Sequence, residues 1–476
     1  MDMIDTNHPS NLQHFATEFI NATREYIYIR PEDGLIILRP NRLHHLNETA
    51  LVMLEMLYGQ SEGPDVEAVV DHVAQRYQID KERVRQDMSN LLLSISALLN
   101  HSVSGAPSIK QTTFGSHKRE LPVLSEIAVT YRCQNRCTFC YADAPKRGHD
   151  VPEMTTDEVK IIIDRIYDEA HCPTLSFTGG EPTLRRDLPE LVSYAKAKGL
   201  RVNLITNGIK CGKIEYVRSL AQAGLDSAQV SIEGGSAEVH DAITQHPGAW
   251  EKATRGVKNL RAEKIHTHTN TTICGGNRDH LMELVDFIAD DLESEYFSMN
   301  MVIRTGTALS HPEDDIPYKD IGSIITSIQQ RAKEKDVHFI WYSPVPYCMF
   351  NPVQAGLGSK SCACVDGLIS VNPAGQLLPC SSFERGIGDL LHEPFEKVWY
   401  TRTALYWRRK EFTPPICQNC SIKNICCGAC PLYWEGRGNF KELEGVAPGG
   451  PPWAGLVWHV KKALWSRTWG VGLKKQ

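Results

Sequence analysis

Six segments of strand type alternate with segments of helix type between residues 123 and 334. Each strand-type segment is short, and the stretch that follows it has apolar residues at helical spacing. In order, the strand-type segments read VLSEIAVTY, TLSFTG, RVNLITN, SAQVSIEG, HTHTNTTICG and YFSMNMVIR. This alternation predicts a parallel sheet covered by helices. We therefore expect an α/β fold with a partial (β/α)6 barrel of the TIM type.

Three cysteines follow the first of these segments, at Cys133, Cys137 and Cys140. In a parallel barrel, the loops after the carboxyl ends of the strands carry the reactive groups. Polar residues separate the three thiols, so the thiols do not belong to a continuous apolar core. A closed structural zinc site uses four ligands, and disulfides use thiols in pairs. Three thiolates therefore indicate a metal centre with one coordination position left open.

Glycines and polar residues stand at the ends of further strand-type segments. Glycine lets the backbone approach a ligand closely, and carboxylates, amides and hydroxyls supply polar contacts. The candidates are Gly179, Gly180, Glu181, Thr206, Asn207, Ser231, Glu233 and Arg304. Because parallel strands of a barrel end at one face, we expect these residues to lie on the same side as the three cysteines.

The spacing Cys-x3-Cys-x2-Cys, with Phe139 before the last cysteine, resembles the cluster loop of radical S-adenosylmethionine (SAM) enzymes. The resemblance implies that three thiolates bind three irons of a [4Fe-4S] cluster and that SAM binds the fourth. It further implies reductive cleavage of SAM to a 5′-deoxyadenosyl radical, which abstracts hydrogen from a substrate. By the same resemblance, the Gly-Gly-Glu motif meets the methionine ammonium group, Ser231 and Glu233 meet the ribose, and an arginine such as Arg304 suits the carboxylate.

A second group of cysteines begins beyond residue 340. The spacing Cys-x2-Cys-x5-Cys-x3-Cys, preceded by Gly375-x4-Cys, resembles the SPASM domain, which binds two auxiliary [4Fe-4S] clusters; a zinc ribbon is the alternative. The resemblance assigns Cys348, Cys362 or Cys364, Cys380 and Cys430 to the first cluster, and Cys417, Cys420 and Cys426 to the second. The sequence has no cysteine after Cys430, so the fourth ligand of the second cluster stays open. Its candidates are Cys427, Glu435, Glu442 and the substrate.

The first 105 residues predict a separate, winged-helix-like unit. Two short strands flank a turn at Gly34, helices start after Asn47 and after Asp80, and another helix begins at Val66. Acidic residues are interleaved with the basic ones on the last two helices, and the chain carries a net charge of −6, which disfavours a nucleic-acid partner. The unit resembles the PqqD-like peptide-recognition element of ribosomal-peptide maturation systems. Such elements bind the leader of a precursor peptide as an added strand at a sheet edge.

These patterns predict five parts of the chain. They are a PqqD-like domain over 1–105, a linker over 106–122, the radical SAM barrel over 123–340, the SPASM domain over 341–440, and a linker with a tail over 441–476. The tail is basic and rich in tryptophan, and Leu456, Val457, Val460 and Leu464 form an apolar helical stripe. We expect the tail to dock on the protein or on a partner, with weak contact to a membrane surface as the alternative.

We therefore predict a radical SAM/SPASM maturase that modifies side chains of a ribosomally synthesised peptide. We expect its electron donor to be a protein such as flavodoxin or ferredoxin. The alternatives are a radical SAM enzyme of a heme or other cofactor pathway, and a non-enzymatic iron–sulfur scaffold protein. The N-terminal segment lacks a charged stretch followed by an apolar one, and 15 cysteines without an export signal favour reduced thiols. We expect a cytoplasmic location.

Overall fold

The computed structural model describes residues 9–40, 42–60, 63–99, 109–112 and 121–468 of the 476-residue chain. The chain divides into two compact units, Met1–Phe114 and Gly115–Gln476. Each unit has a hydrophobic core of its own. Each therefore meets the physical requirement for a domain that folds by itself.

Within its described residues, the first unit combines four helices with a four-stranded antiparallel sheet. Its helices are α1 (Pro9–Thr23), α2 (Glu48–Gly59), α3 (Val66–Tyr77) and α4 (Lys81–Leu99), and its strands are β1 (Ile27–Arg30), β2 (Leu35–Leu38), β3 (Arg42–Leu46) and β4 (Ile109–Thr112). The strands lie in the order β1-β2-β3-β4, so β1 and β4 are the edges of the described sheet. Gly34 adopts a left-handed φ of 67° after the β1–β2 turn, as its sequence position predicts.

Two helices of this unit begin at the predicted capping residues. The Asn47 side chain accepts a hydrogen bond from the Ala50 amide (2.8 Å), and Asp80 Oδ1 accepts one from the Glu82 amide (2.9 Å). Side-chain oxygens at these positions satisfy amide groups that have no partner within the helix. The predicted positions of α2, α3 and α4 are confirmed.

The sequence analysis does not predict α1, β3 or β4. The strand β4 has the polar sequence IKQT and lies inside the range predicted as a linker. It pairs antiparallel with β3, from Leu43 opposite Thr112 to Leu46 opposite Ile109. A polar tetrapeptide has no strand signal of its own. It becomes a strand here because β3 offers backbone groups that need hydrogen-bond partners.

Within its described residues, the second unit is built on a ten-stranded sheet. Its strands are β5 (Leu124–Thr130), β6 (Thr174–Gly179), β7 (Arg201–Thr206), β8 (Ser227–Ser231), β9 (His266–Ile273), β10 (Tyr296–Met301), β11 (His338–Trp341), β12 (Leu368–Val371), β13 (Gln376–Leu378) and β14 (Gly388–Asp389). They lie in the order β11-β10-β9-β8-β7-β6-β5-β12-β13-β14. The pairings from β11 to β12 are parallel and the last two are antiparallel. Since the order has two ends, the barrel is open, which confirms the predicted fold class.

Helices accompany the barrel strands in the predicted alternation. They are α5 (Ala144–Asp150), α6 (Thr156–Asp164), α7 (Leu188–Ala197), α8 (Ile214–Gln222), α9 (Ala237–Thr244), α10 (Ala249–Ala262), α11 (Leu281–Asp286) and α12 (Tyr318–Glu334). The sequence analysis predicts six of these and misses α5 and α9. Both lie in the loops that follow strand ends, where the apolar periodicity is short.

The barrel strands have two different faces. Alternate residues, such as Ile127 and Val129 on β5, belong to the main hydrophobic core. The residues between them face the barrel interior, and many of them are polar: Glu126, Ser176, Thr178, Asn203, Gln229, Ser231, Asn270, Thr272, Ser298 and Asn300. Hydrogen bonds join them across strands, for example from Asn203 Nδ2 to Ser176 Oγ (3.2 Å). The barrel interior is therefore rich in hydroxyl and amide groups.

The cysteine-rich region is joined to the barrel through the sheet itself. Strand β12 pairs parallel with β5, with Leu368 opposite Leu124 and Val371 opposite Ile127. The helices of this region are α13 (Phe395–Trp399), α14 (Arg402–Arg408), α15 (Lys423–Cys426) and α16 (Pro431–Arg437). A continuous hydrogen-bonded ladder therefore connects the first barrel strand to the region that contains the second group of cysteines.

The tail forms α17 (Ala454–Thr468), and this helix docks on its own chain. Trp458 Nε1 donates a hydrogen bond to the carbonyl of Phe412 (3.1 Å), and Lys461 Nζ lies 3.0 Å from a carboxylate oxygen of Glu411. The predicted apolar stripe is not the docking face, since Leu456 is 70% exposed and Val460 is 48% exposed. The Leu464 side chain and Trp469 lie outside the described residues. In the part of the chain that the structure describes, no helix is long and apolar enough to cross a membrane.

Replacing Asn47 by alanine should lower the stability of the first unit by about 1 kcal/mol, because the Ala50 amide loses its partner. Urea denaturation of the Met1–Phe114 unit measures the change. Asn47→Asp keeps a capping oxygen and should cost much less. Equal losses in the two variants would contradict the capping role.

Candidate functional site

The three cysteines of the first group lie on the loop after β5, which neighbouring elements hold on both sides. The amide of Thr138 donates to the carbonyl of Ile243 at the end of α9 (3.1 Å), and Thr307 Oγ1 donates to the carbonyl of Cys137 (2.8 Å). The turn after β10 approaches closely, since a side chain at Gly306 would meet the carbonyl of Cys140 at 2.1 Å. The loop is thereby fixed at the carboxyl face of the barrel, as predicted.

The thiols of this loop lie in a poorly solvated environment. Burial raises the pKa of Cys133 to about 12 and holds the pKa of Cys137 well above the ordinary value of a thiol. Two donors contact Cys133 Sγ: the amide of Asn135 (3.4 Å) and Asn207 Nδ2 (3.7 Å). Thiols of this kind remain protonated near neutral pH unless a cation compensates their charge. Iron supplies that charge, so the donor set fits an iron–sulfur cluster.

The end of β6 lies directly against the end of β5. Gly179 has a φ of 135°, and a Cβ atom there would stand 2.0 Å from the carbonyl oxygen of Thr130. A Cβ atom on Gly180 would stand 2.4 Å from the carbonyl oxygen of Tyr131. Only glycine fits at these two positions, and the amide of Glu181 then donates to the carbonyl of Arg132 (2.8 Å). The Gly-Gly-Glu segment therefore lies beside the start of the cysteine loop.

The carboxylate of Glu181 is fully buried and connects two strand ends. It accepts hydrogen bonds from Thr206 Oγ1 (2.7 Å) and the Asn207 amide (2.8 Å) at the end of β7, and from Thr183 Oγ1 (2.6 Å) and the Thr183 amide (3.1 Å). With four donors, Glu181 holds the ends of β6 and β7 in place. Asn207 also contacts Cys133, so these hydrogen bonds connect Glu181 to the cysteine loop. The contact with a methionine ammonium group stays a prediction.

Ser231 and Glu233 lie at the end of β8, on the same face. Glu233 is buried, and burial raises its pKa to about 8. Its Oε2 accepts a hydrogen bond from the Thr272 amide (2.9 Å). Its charge also contributes to the raised pKa of Cys137, after burial and the charge of Cys140. The structure thus brings Glu233 close to the cysteine loop, while its contact with ribose remains a prediction.

Arg304 follows β10 and meets the cysteine-rich region. A Cβ atom on Gly436 of α16 would stand 2.9 Å from Arg304 Cβ. Within the described residues, Arg304 Nε is buried without a hydrogen-bond partner. Its charge helps to lower the pKa of Asp315, although burial outweighs this effect and raises that pKa overall. An unpaired guanidinium nitrogen at the barrel face suits an anionic ligand, and its assignment to SAM remains a prediction.

The second group of cysteines separates into two sets. In the first set, the Cys364 thiol forms hydrogen bonds with Cys362 and with Cys380. The hydrogen bond from Cys364 lowers the pKa of Cys362 to about 7. Charges of Cys362 help to raise the pKa values of Cys427 and Cys430, after burial. The structure therefore brings together Cys362, Cys364, Cys380, Cys427 and Cys430.

The other set contains Cys417, Cys420, Cys426 and Cys348. Burial, followed by the charges of Cys426, Cys348, Cys420 and Cys427, raises the pKa of Cys417 to about 12, so Cys427 lies close to this set as well. The amide of Tyr347 donates to Cys426 Sγ at 3.3 Å, which places the neighbouring Cys348 at this set. The sequence analysis grouped Cys348 with Cys380 instead. That grouping rested on the order of the cysteines in the SPASM motif. In the structure, the segment before Cys348 packs against Cys426.

Three cysteines of the chain lie outside both groups. The remaining cysteines, Cys172, Cys211 and Cys274, are buried in the main core.

Several residues that organise the site escape the sequence analysis. Asn277 is buried, and its Nδ2 donates to the carbonyls of Glu233 (3.1 Å) and Thr272 (3.0 Å). His240 Nδ1 accepts the Glu233 amide (3.0 Å), and burial lowers the His240 pKa to about 4, so the ring is neutral and able to accept. Neither residue belongs to a recognisable sequence motif. The only signal in the sequence is that each is a polar residue in an apolar or loop segment.

An open parallel barrel with three cysteines after its first strand, followed by further cysteine sets, is the architecture of an iron–sulfur radical enzyme. Family models agree with this class. The radical SAM superfamily model matches residues 127–288, the SPASM iron-sulfur cluster-binding domain matches 362–421, and the coenzyme PQQ synthesis protein D (PqqD) model matches 34–96. The chain is therefore a radical SAM/SPASM enzyme with a PqqD-like domain, and its family implies SAM and [4Fe-4S] clusters as cofactors.

The similar curated proteins include heme-pathway enzymes and peptide cyclases. An AdoMet-dependent heme synthase of Oleidesulfovibrio alaskensis is 27% identical over 63% of this chain and 80% of its own length. A PqqA peptide cyclase of Rhizobium meliloti is 28% identical over 66% of this chain and 82% of its own length. Among solved structures, Streptococcus suis SuiB bound to the precursor peptide SuiA has the same fold. It matches with a TM-score of 0.62, 15% identity, and coverage of 86% of this chain and 95% of that one.

Replacing Cys133, Cys137 and Cys140 together by alanine should abolish SAM cleavage and remove about a third of roughly twelve irons, because one of three cubes loses its ligands. Iron analysis and chromatography of 5′-deoxyadenosine after anaerobic reconstitution measure both effects. Cys211→Ala removes a buried core thiol and should leave the iron content unchanged. Continued formation of 5′-deoxyadenosine by the triple variant would refute the assignment.

Proposed function

We propose that this enzyme is a maturase that modifies side chains of a ribosomally synthesised precursor peptide. Cys133, Cys137 and Cys140 would hold a [4Fe-4S] cluster, which would supply the electron for reductive cleavage of SAM and thereby the chemistry for hydrogen abstraction from a peptide side chain. The observation that carries the proposal is the PqqD-like unit in the same chain as the radical SAM barrel. The similar proteins support it, because they include PqqA peptide cyclases, and the similar solved structures include SuiB with its precursor peptide.

The first unit has the architecture that strand addition requires. Within the described part of this unit, the antiparallel sheet ends at β1 on one side and at β4 on the other. The outer side of an edge strand presents backbone N–H and C=O groups that an incoming peptide strand can pair with. Backbone pairing provides affinity, and pockets for alternate side chains provide selectivity. A leader peptide added to this sheet would bring its precursor to the enzyme.

The barrel interior favours a peptide substrate for a second reason. Hydroxyl and amide side chains, such as Ser176, Asn203, Asn270 and Asn300, can pair with the N–H and C=O groups of a peptide backbone. A tetrapyrrole presents two broad apolar faces, which require apolar or aromatic partners. The polar lining of the interior therefore supports a peptide substrate.

We assign the following roles to the residues at the carboxyl face of the barrel. Cys133, Cys137 and Cys140 would hold the cluster, and Glu181 would connect the ends of β6 and β7 beside the bound SAM. Ser231 and Glu233 would bind the ribose, and Arg304 would pair with the carboxylate of SAM. Gly179 and Gly180 would leave room for the methionine group, because neither carries a side chain.

A heme-pathway enzyme is the second candidate, because AdoMet-dependent heme synthases match the chain with similar identity. A non-enzymatic scaffold would need neither the Gly-Gly-Glu motif nor the buried Glu233. As partners, we propose the leader peptide and a small electron-transfer protein such as flavodoxin or ferredoxin, in the cytoplasm. Membrane-surface contact through the exposed side of α17 is a weaker proposal, since Lys461 is paired with Glu411.

The Met1–Phe114 unit alone should bind the leader of a precursor peptide whose gene lies beside the gene of this enzyme. We expect a dissociation constant in the micromolar range, which corresponds to a binding free energy of about −8 kcal/mol. Hydrogen exchange should slow on the edge strand that accepts the peptide. The unit has to extend to residue 114, because β4 lies beyond residue 105. A proline at a donating position of the leader should abolish binding, since proline has no amide hydrogen. Failure to bind any neighbouring peptide would remove the main support for a maturase.

Deleting residues 1–114 should uncouple the two activities of the enzyme. We expect SAM cleavage without peptide to continue at a similar rate, because the barrel and its cysteines remain. Modification of the precursor should fall sharply, since the leader has lost its binding site. Mass spectrometry of the peptide and chromatography of 5′-deoxyadenosine measure the two. Full-rate peptide modification by the truncated enzyme would contradict the proposal, and modification of a porphyrin instead would favour the second candidate.

A further inference from the structure

Three cysteines of the second set lie on one compact turn. Cys417 ends a short 3-10 turn, and the amide of Cys420 donates to its carbonyl (3.0 Å). Cys426 ends α15, and its amide donates to the carbonyl of Ile422 (2.9 Å). Gly428 lies beside Cys417, since a Cβ atom there would stand 3.5 Å from Cys417 Sγ. This turn supplies three thiolates, and residues 431–476 contain no cysteine.

The segment 345–348, which precedes this turn by about 70 residues in the sequence, packs against it. The amide of Tyr347 donates to Cys426 Sγ at 3.3 Å, and the carbonyl of Val345 lies 4.0 Å from the same sulfur. The Tyr347 hydroxyl fixes the segment, because it contacts Ser359 Oγ (3.1 Å) and accepts the Lys360 amide (2.8 Å). Cys348 is the next residue along this anchored backbone. An amide aimed at a cysteine sulfur is also the contact expected around a cluster thiolate.

The other candidates for a fourth ligand are engaged elsewhere. Cys427 Sγ lies 3.6 Å from Ser361 Oγ and 3.6 Å from the carbonyl of Ala429, and it lies between the two sets, because its charge also raises the pKa of Cys417. Glu442 accepts a hydrogen bond from Tyr433 (2.6 Å) and lies 3.4 Å from Arg437 Nε. Glu435 lies 3.5 Å from Lys462 Nζ on α17. Each would have to break an existing contact to reach the turn.

We propose that Cys348 is the fourth ligand of the second auxiliary site, together with Cys417, Cys420 and Cys426. The proposal deepens the proposed function, since it rests on the auxiliary clusters that the family implies. With four thiolates, no coordination position is left for a substrate atom. The peptide therefore has no open iron to bind at the second auxiliary cluster. Cys348 is exposed, so this cluster lies near the surface, where a small electron-transfer protein can approach it.

The test is spectroscopic and uses the full-length, anaerobically reconstituted protein without peptide. Cys348→Ala should lose one iron from the second auxiliary cluster or lose the whole cluster, up to about a third of total iron. Mössbauer and EPR spectra should show a three-iron cluster or the loss of one cluster's signal. The imidazole test uses the Cys133→Ala, Cys137→Ala, Cys140→Ala background, which lacks the first cluster and its open coordination position. In that background, any four-iron second auxiliary cluster that Cys348→Ala retains should change its reduced EPR spectrum when imidazole is added, whereas the spectrum with Cys348 intact should not change.

Two further variants keep the test decisive. Cys348→Ser retains a possible oxygen ligand, so it should keep more iron than Cys348→Ala and shift the EPR spectrum. Cys427→Ala should leave the second auxiliary signal intact. Full iron and an unchanged spectrum in Cys348→Ala would overturn the proposal, as would a response of this cluster to imidazole with Cys348 intact. Leader binding by the first unit does not depend on this cluster, so failure here is distinguishable from failure of the maturase function.

Discussion

The contact between the ends of β5 and β6 determines the geometry of the barrel face. Two glycines allow it, because a side chain at Gly179 or Gly180 would collide with the backbone of Thr130 or Tyr131. Glu181 then extends the arrangement to β7 with four accepted hydrogen bonds. A buried carboxylate that lost these donors would carry an uncompensated desolvation cost. The cysteine loop, which starts at the end of β5, depends on this network for its position.

Much of the architecture could be predicted from local patterns. Strand and helix alternation predicts the barrel, and Asn47, Asp80 and Gly34 occur where cap and turn geometry require them. The missed elements lack such signals. Strand β4 is polar and depends on pairing with β3, and the helices α5 and α9 are too short for a clear apolar period. Tertiary pairing, which local propensity does not encode, decides these cases.

The candidate site shows a similar division. Motif spacing identifies the cysteines, and the structure brings the predicted strand-end residues to one face. The distribution of thiols between the two auxiliary sets could not be predicted, because it depends on where the segment Val345–Cys348 lies after β11. Nor does a motif reveal that Glu181 already has four donors, or that Asn277 and His240 hold the backbone of Glu233. These are consequences of packing between segments that are distant in sequence.

The parallel pairing of β12 with β5 has a mechanical consequence for electron transfer. Cys380 follows β13, which is hydrogen-bonded to β12, while Cys133 follows β5 itself. Tunnelling rates fall exponentially with the separation of two redox centres. A ladder of backbone hydrogen bonds resists stretching, so the gap between these two cysteine groups is insensitive to loop motion as substrates enter and leave. Clusters held by these two cysteine groups would therefore keep a separation that the sheet determines.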